Sequence, residues 1–359
     1  MSRYNVWLAT VMGPNCSNSM QIAEIGMNPK EIYGNRANLG KLGVFSNRQI
    51  KSAAQTSIAD TETAYLAHVE NAIESVTVWD DDYPVRFRNM HDAPLVLFYK
   101  GDLSLLDSEY TVSIVGSRQC SGEGEKACQL IASDVARCGG VVVSGLAQGA
   151  DTIAHKACVA AGGRTVAFTG VPLDECFPKV NEKFQSELAR DHLVVSEYVS
   201  GQAYRGSHFI FRNRLIAMAG DALCVIQAKK KSGSLSTVNR AIEYDKAVFA
   251  VPGSIFSPIY EGSNSLLVRG LACAVTDGIQ IMRHLGAVET TEKTEANTGK
   301  IAVSDSAQQV LKAIEGAMFP PRIAKKAKLP RGVVKAALIE LEVAKLAEKT
   351  ATGEYIRIG

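Results

Sequence analysis

The amino-acid sequence predicts an α/β fold with a doubly wound, mostly parallel sheet, accompanied by two smaller helical domains. Between residues 110 and 285, short apolar runs alternate with segments of helical periodicity, and strands this apolar are covered by helices on both faces. Residues 1–78 carry short apolar groups with helical spacing, and residues 301–359 return to helical periodicity before a Gly-turned hairpin. We therefore expect a small helical domain, an extended Rossmann-like domain and a winged-helix domain, in that order.

The N-terminal domain, residues 1–78, is expected to be helical and of the SAM or helix-hairpin-helix type. Its clearest periodic stretch is Thr61–Ser75, in which the apolar residues have helical spacing. The turn-rich Trp79–Pro84 then separates it from the next domain, whose first strand is predicted at Pro94–Tyr99.

The central domain, residues 79–286, is predicted from a regular alternation of strands and helices. Its further strands are expected at Thr111–Val115, Val141–Val143, Thr165–Phe168, Leu193–Val195, Ala222–Ala228 and Val248–Val251. The helices between them are expected at Glu125–Cys138, Asp151–Ala161, Asn181–Ala189, Arg212–Ala219 and Thr237–Tyr244. This alternation is typical of consecutive parallel β-α-β units.

The C-terminal part begins with a Thr- and Glu-rich segment, residues 287–300, which we interpret as a linker. A winged-helix-like domain over residues 301–359 is predicted from three helices and a hairpin. The helices are expected at Ser306–Ala317, Pro321–Lys328 and Gly332–Glu342. Residues 300–359 contain eleven lysines and arginines against six acidic residues, whereas the whole chain has a net charge of only +2. A nucleic-acid partner must therefore be argued from local clusters of charge.

The eight cysteines include no C-x-x-C pair, so we expect neither a metal site nor a disulfide framework, and no cofactor. Free thiols in a reducing compartment are the better interpretation. The sequence shows no signal-peptide pattern and no apolar run long enough to cross a membrane. We expect a cytoplasmic protein with no membrane partner.

The candidate binding residues follow the predicted strands, because ligands of doubly wound sheets bind beyond the carboxyl ends of the strands. They are glycines that allow close backbone approach, hydroxyl and amide groups, and cations that bind phosphate. In strand order they are Gly116, Ser117 and Arg118; Ser144 and Gly145; Lys179; Arg212, Asn213 and Arg214; Ser232, Gly233 and Ser234; and Gly253 and Asn264. The sequence therefore predicts a site for more than one phosphate.

Some of these motifs have a simpler explanation when taken singly. The basic run Lys229–Lys231 would usually be a solvated surface, and Arg212 and Arg214 could cap a helix or pair on the surface. Glu197, directly after a strand, is interpreted as an orienting partner for a basic residue in the same cleft rather than as a catalytic acid or base. The coincidence of all these groups at one sheet edge favours the phosphate site.

Four aromatic residues lie near the basic loops, where nucleic-acid bases could stack on them. They are Phe177, Tyr204, Phe209 and Phe211. Core packing is the expected role of at least two of the four. The sequence has no G-x-x-x-x-G-K-[ST] loop, and neither His192 nor His208 lies near a nucleophile elbow. We expect a binding protein without catalytic residues rather than an enzyme.

Together these motifs resemble the DprA/Smf (DNA-processing protein A) family of bacteria, in an order and spacing that hold over residues 79–285. The matching stretches are Asp82–Pro84, Ala93-Pro94, Lys100-Gly101, Ile114–Arg118, Ser144–Ala147 with Gly149 and Asp151, Ala154-His155, Phe177-Pro178 with Asn181, Ser196-Glu197, Phe211–Ala217, Ser232–Leu235 with Thr237, Val251–Gly253, and Gly262 with Asn264 and Leu266. The two terminal domains agree with the family in type only.

The resemblance implies a mediator that binds single-stranded DNA, protects incoming DNA, loads RecA in natural transformation and recombination, and forms a homodimer. It also implies that Arg118 and Lys179 contact DNA. The residues implied to line the same pocket are Gly116, Ser117, Arg212, Asn213, Arg214, Ser232 and Ser234. Two positions depart from the family pattern. Ala150 stands where isoleucine is usual, which predicts a packing change. Gln227 replaces an acidic residue, which predicts phosphate binding at least as favourable as in relatives.

Two alternatives stay open. Nucleotide-processing proteins of the Lonely Guy type share this sheet, and their Pro-Gly-Gly-x-Gly-Thr-x-x-Glu motif corresponds here to Ser232–Thr237, without the catalytic glutamate. A sequence-specific regulator would instead act through base-reading side chains of the winged helix. Release of a free base from a nucleoside monophosphate would identify the first alternative, and preference for one duplex sequence the second.

Overall fold

The computed structural model describes residues 1–88, 90–288, 303–344, 346–350 and 353–358. The chain divides into two compact units, Met1–Glu289 and Thr290–Gly359. No helix in these described ranges is both long and apolar enough to cross a membrane. All eight cysteines are free thiols, and five of them are buried.

The first unit is built on a nine-stranded sheet with the order β1-β2-β6-β5-β4-β3-β7-β8-β9. Its strands are β1 (Glu74–Thr77), β2 (Val96–Gly101), β3 (Thr111–Val115), β4 (Val141–Ser144), β5 (Arg164–Phe168), β6 (Leu193–Ser196), β7 (Ala222–Val225), β8 (Ala247–Ala250) and β9 (Cys273–Ala274). From β6 to β9 all neighbours are parallel, and only the pairings of β1 with β2 and of β2 with β6 are antiparallel. The predicted mostly parallel α/β sheet is confirmed.

Five α-helices precede and pack beside the sheet: α1 (Arg3–Met12), α2 (Ser19–Glu24), α3 (Pro29–Gly34), α4 (Asn47–Gln55) and α5 (Glu62–Glu70). They share one hydrophobic core with the sheet, because Trp7 and Leu8 of α1 belong to the same buried cluster as Val96 and Phe98 of β2.

The predicted helix Thr61–Ser75 is wrong in its last third. The helix α5 ends at Glu70, Ala72 takes a left-handed φ of 50°, and Glu74–Thr77 forms the edge strand β1. The cause is long-range pairing: Val76 faces Leu97 of β2 and is buried in the sheet core. Local periodicity carries no information about such a partner.

The helices of the sheet are α6 (Val85–Arg88), α7 (Gly122–Arg137), α8 (Ala150–Ala160), α9 (Glu182–Asp191), α10 (Gly206–Ala219), α11 (Ser234–Glu243), α12 (Glu261–Val268) and α13 (Gly278–His284). Successive residues of a central strand enter different cores, since Val141 and Val143 of β4 belong to one buried cluster and Val142 belongs to another. Both faces of the sheet are therefore covered. The order reverses at β3, which lies between β4 and β7, and ligands bind at such a switch point.

The described residues of the second unit form three helices, α14 (Asp305–Ala313), α15 (Pro320–Ala327) and α16 (Arg331–Val343), followed by the antiparallel pair β10 (Ala347–Lys349) and β11 (Tyr355–Arg357). Its buried cluster includes Val310, Ile323 and Leu341. The element order is the predicted one, and the winged-helix identity of this domain stays a prediction. Most of the predicted linker, from residue 289 onward, lies outside the described residues.

Candidate nucleic-acid interface

A cavity of about 600 Å³ lies at the carboxyl ends of the central strands, and we call it the Rossmann cavity. Its walls come from the loops after β3, β4 and β7, and from the facing side of α10. More than half of the predicted binding residues line it: Gly116, Ser117, Arg118, Arg212, Asn213, Ser232, Gly233 and Ser234. The sheet thus brings together residues that are far apart in the sequence.

The loop that carries Arg118 is held by the loop before α8. The Ala150 amide donates to the Ser117 carbonyl oxygen at 3.1 Å. Gly149 has a φ of +83°, and a β-carbon there would lie 2.4 Å from the same carbonyl oxygen. Only glycine fits this left-handed, closely packed position. The small Ala150 side chain is fully buried, and a β-carbon on Gly116 would lie 2.8 Å from it.

The Arg118 side chain is exposed at the mouth of the Rossmann cavity. Its guanidinium carbon lies 5.8 Å from the ring centroid of Phe209, a cation–π arrangement. It makes no ion pair with any residue that the structure describes, and Glu197 pairs with Arg214 instead. The Arg118 charge is therefore available to a ligand.

The basic run after β7 divides between the cavity and the surface. Lys229 and Lys231 line the Rossmann cavity, and Lys230 lies outside it, 3.6 Å from the Glu261 carboxylate. Lys229 and Lys231 were not among the predicted binding residues, because a basic run of this kind is usually a solvated surface. The position of the run directly after a strand was the signal that could have found them.

Arg212 lies in the cavity wall with its side chain almost fully buried. Its Nη1 donates to the Gly145 carbonyl oxygen at 2.6 Å and to the Phe168 carbonyl oxygen. Burial lowers the pKa of Arg212, against the opposing effect of Asp151. Burial raises the pKa of Asp151, while Arg212 acts to lower it. The charges of these two residues of the cavity lining therefore stabilise each other.

Arg214 does not reach the cavity, contrary to its expected place in the pocket. It is fully buried, with Nη1 and Nη2 donating to the Glu197 carboxylate at 2.6 and 2.7 Å and Nε 3.2 Å from Asp92. Burial acts to lower the pKa of Arg214, but the charges of Glu197 and Asp92 and the hydrogen bonds to Glu197 together raise it. Two residues apart on one helix, Arg212 and Arg214 point to different sides. Glu197 does pair with a basic residue, as predicted, but Arg214 lies outside the cleft in which that pairing was expected.

The remaining predicted residues also lie away from the cavity lining. The buried Ser144 hydroxyl donates to the Ile114 carbonyl oxygen at 2.6 Å. Gly253 and Asn264 bond to each other through the Gly253 amide, at 3.1 Å, and carbonyl, at 3.0 Å. Lys179 is exposed and lies 3.2 Å from Glu182, which raises the pKa of the Lys179 ammonium. Gly145 is constrained from behind, since a β-carbon there would lie 2.5 Å from a nitrogen of the Arg212 guanidinium.

An exposed aromatic cluster lies beside the cavity mouth. The Phe177 ring centroid lies 5.0 Å from that of Phe209 and 5.7 Å from that of Tyr204. Phe177 and Tyr204 are 40% and 42% exposed, and Phe209 lines the cavity. Phe211 is 39% exposed as well, so the expected core role of at least two of the four aromatics is wrong. Aromatic surface and anion-binding groups are contiguous here.

The far wall is formed by the start of α11. Ser234 and Thr237 of its first turn line the cavity, and the Ser232 and Ser234 hydroxyls lie 2.7 Å apart. The first amides of the helix already have acceptors, since the Ser234 amide donates to the Ser232 hydroxyl at 3.4 Å and the Ser236 amide donates to the Gly233 carbonyl oxygen at 3.1 Å. Asn213 closes the wall by donating to the Ser236 hydroxyl at 2.9 Å.

Gln227 is buried behind the cavity rather than in its lining. Its Oε1 accepts from the Ser121 amide at 3.0 Å, and its Nε2 donates to the Ser121 hydroxyl at 2.7 Å. Ser121 in turn caps α7. The amide thus braces the loop that carries Arg118, and its effect on phosphate affinity stays a prediction. Within the described ranges, no three His, Cys, Asp or Glu side chains come together as metal ligands.

Fold and site together define a Rossmann-like α/β protein with a cationic, aromatic-rimmed cavity at its topological switch point. Residues 74–286 match the profile of the DNA recombination-mediator protein A family. DNA processing protein DprA of Streptococcus pneumoniae is 35% identical over 287 residues, which cover 79% of this chain and 98% of that protein. The chain therefore belongs to the DNA recombination-mediator protein A family, a family of DNA-processing proteins.

Two solved structures support this assignment. The X-ray structure of the S. pneumoniae protein is similar with a TM-score of 0.68 at 34% identity, covering 79% of this chain and 98% of that one. A structure describing the single-stranded DNA binding mode of DNA processing protein A from Helicobacter pylori has a TM-score of 0.54 at 30% identity. It covers 59% of this chain and 95% of that chain.

Proposed function

We propose that this chain binds single-stranded DNA across the Rossmann cavity and acts as a mediator of DNA recombination and transformation. The observation that carries the proposal is the meeting of the unpaired Arg118, the cavity-lining Lys229 and Lys231, and the exposed aromatic cluster. Cations alone would fit any polyanion, and aromatic rings alone any apolar ligand. Their combination fits a strand whose phosphates and bases are both accessible.

The phosphates would lie along the cavity. Arg118 offers a planar guanidinium for a two-point contact, and Lys229 and Lys231 offer point charges on the opposite wall. The turn into α11 adds the hydroxyls of Ser232 and Ser234, which lie 2.7 Å apart. Arg212, held by two carbonyl oxygens, adds a fixed positive charge to the wall.

The bases would stack on the aromatic cluster of Phe177, Tyr204 and Phe209. In a duplex the base faces are covered by their neighbours, so the cluster would stay unused. A single strand exposes its base faces, and the stacking of one base on an aromatic ring contributes about 1–3 kcal/mol to the binding free energy. The single-stranded DNA binding described for the H. pylori protein supports the same choice.

We further propose that the chain acts as a cytoplasmic homodimer that protects single strands and loads RecA onto them, without turnover of its ligand. Family membership supports the mediator role. Asp151 is the single carboxylate among the described residues lining the cavity, and it lies against Arg212. The position of the Lonely Guy glutamate, three residues after Thr237, is occupied by Arg240, which pairs with Glu243 at 2.8 Å. These contacts favour binding over hydrolysis.

The proposal is tested by Tyr204→Ala, with Phe211→Ala as the matched control. Both aromatics are about equally exposed, and only Tyr204 belongs to the ring cluster. Affinity for an oligothymidine, measured by fluorescence anisotropy, should fall about fivefold or more for Tyr204→Ala, since one stacked base is lost. It should stay nearly unchanged for the control. Equal affinities of the two variants would contradict base stacking at this cluster.

Incubation of the full chain with purine nucleoside monophosphates, followed by chromatography, tests the absence of turnover. We expect no free base. Steady release of free base by the parent protein, and its loss in the Asp151→Asn variant, would show that the chain hydrolyses nucleotides instead of only binding its ligand.

A further inference from the structure

The second unit contains a concave surface that the proposed function does not use. Its cavity of about 460 Å³ lies between the start of α15, the outer side of α16 and the β10–β11 pair, and we call it the C-terminal cavity. Arg331, Lys335 and Lys349 are its cations, and Phe319, Leu338 and Tyr355 supply much of its apolar lining. We propose that the C-terminal cavity is a second binding site for single-stranded DNA, holding an unstacked nucleotide.

The three cations are arranged around the cavity by regular structure. Arg331 and Lys335 are four residues apart on α16 and therefore share one side of the helix. Lys349 faces Tyr355 across the β10–β11 pair, and side chains of such a pair lie on the same face. The charges are thus held on elements with a common buried core.

The same cations have no counter-charge in the described part of the unit. No carboxylate lines the C-terminal cavity, and Arg331, Lys335 and Lys349 make no ion pair with the residues described. Lys326, elsewhere on the unit, is paired with Glu315. Unpaired cations around a concavity attract an anion.

The floor of the cavity is apolar and carries an exposed ring. Leu338 is almost fully buried, and Phe319 is 50% exposed. Phe319 is positioned by its neighbour Met318, whose amide and carbonyl both bond to Tyr355, at 3.0 and 2.8 Å. A phosphate alone would leave this floor in water. A nucleotide would cover it with its base while its phosphate meets the cations.

Positive charge next to the C-terminal cavity favours a polymeric anion, such as a nucleic-acid strand, as the ligand. A smaller cavity on the same unit is lined by Arg322, Lys325 and Lys326, with Glu315. Chain neighbours contribute to both, since Phe319–Pro321 line the C-terminal cavity and Met318 and Arg322 line the smaller one. Regularly spaced negative charge fits two adjoining cationic cavities better than one acidic peptide. Duplex DNA would reach the cations but could not place a base on Phe319.

The test uses the full chain and two matched double variants. Arg331→Ala with Lys335→Ala removes two cavity cations, and Lys312→Ala with Arg357→Ala removes two exposed cations outside the lining. Affinity for an oligothymidine of about 40 nucleotides is measured over a range of salt concentrations. The cavity double variant should bind about tenfold more weakly at low salt, and its salt slope should fall by about 1.4, because about 0.7 is lost per phosphate contact. The control should remain within about twofold of the parent.

The variant Phe319→Ala tests base stacking separately from the charge of the cavity. It should weaken binding without changing the salt slope, because stacking releases no counterions. Equal losses in the two double variants, or an unchanged affinity of Phe319→Ala, would overturn the second site. So would displacement of the oligothymidine from the Arg118→Ala protein by an acidic tyrosine-containing peptide, which would assign the cavity to peptides. Arg118→Ala in the otherwise native chain tests the Rossmann cavity separately, so either site can fail alone.

Discussion

Arg118→Ala should weaken single-stranded DNA binding far more than Lys230→Ala. The backbone before Arg118 is fixed by the Ala150 amide, 3.1 Å from the Ser117 carbonyl oxygen, and its guanidinium lies over the Phe209 ring. A preorganised, charge-assisted contact of this kind is worth about 1.5–3 kcal/mol, which is a loss of affinity of about tenfold to a hundredfold. The charge is lost at the cavity mouth, where no other described cation shares its position.

Lys230→Ala is the control, because Lys230 lies outside the Rossmann cavity and is 3.6 Å from Glu261. Both side chains of that pair are exposed, and such pairs contribute less than about 1 kcal/mol. Lys229 and Lys231 remain in the cavity lining. We therefore expect less than about a fivefold loss of affinity.

The assay is fluorescence anisotropy with a labelled oligothymidine, accompanied by thermal melting of each variant. Arg118→Lys should recover part of the affinity, because it restores the charge without the planar fork. Equal losses for Arg118→Ala and Lys230→Ala would refute the reasoning. An Arg118→Ala protein that melts early and still binds normally at low temperature would show that the residue is structural.

Three further predictions concern the framework around the cavity. Arg214→Met should destabilise the fold by about 3–5 kcal/mol, because it leaves the Glu197 carboxylate buried without its cation; a melting temperature equal to that of the parent would contradict this. Gly149→Ala should weaken DNA binding through displacement of the adjacent Ser117 carbonyl, with a smaller effect on melting temperature, and normal affinity would show that the loop adapts. Removal of residues 287–359 should leave a folded protein that still binds single strands, as judged by circular dichroism and anisotropy, since the first unit has its own core; a folded product that does not bind would place the main site in the second unit.

Most of the parallel strands could be predicted from the sequence because each is a short, mainly apolar run, whereas the short edge strand β9 was not predicted. Thr111–Val115 has the predicted bounds, and the other parallel strands from β4 to β8 overlap their predicted ranges. The edge strand β1 could not be predicted in the same way. Its residues continue the periodicity of α5, and only the pairing with β2 makes them a strand.

The sequence predicts at which edge of the sheet the site lies, but it does not predict which residues line that site. The rule that ligands bind beyond the carboxyl ends of strands located the loops that carry Arg118 and Ser232–Ser234. It could not separate Arg212 from Arg214, since that requires the rotation of α10, which begins at Gly206 rather than at Arg212. The buried carboxylates that bind Arg214 come from distant segments. Local sequence does not show which arginine forms an ion pair with a buried carboxylate.

The most direct test of the central claim is a binding titration of the full chain with single-stranded DNA, duplex DNA of the same sequence, and mononucleotides, each at several salt concentrations. The single strand should bind most tightly and with little dependence on its sequence, because the cavity combines phosphate-binding groups with a base-stacking cluster. Its affinity should fall steadily as salt rises, through loss of counterion release. Equal affinity for duplex and single strand would contradict the claim, and so would tighter binding of a mononucleotide than of the strand.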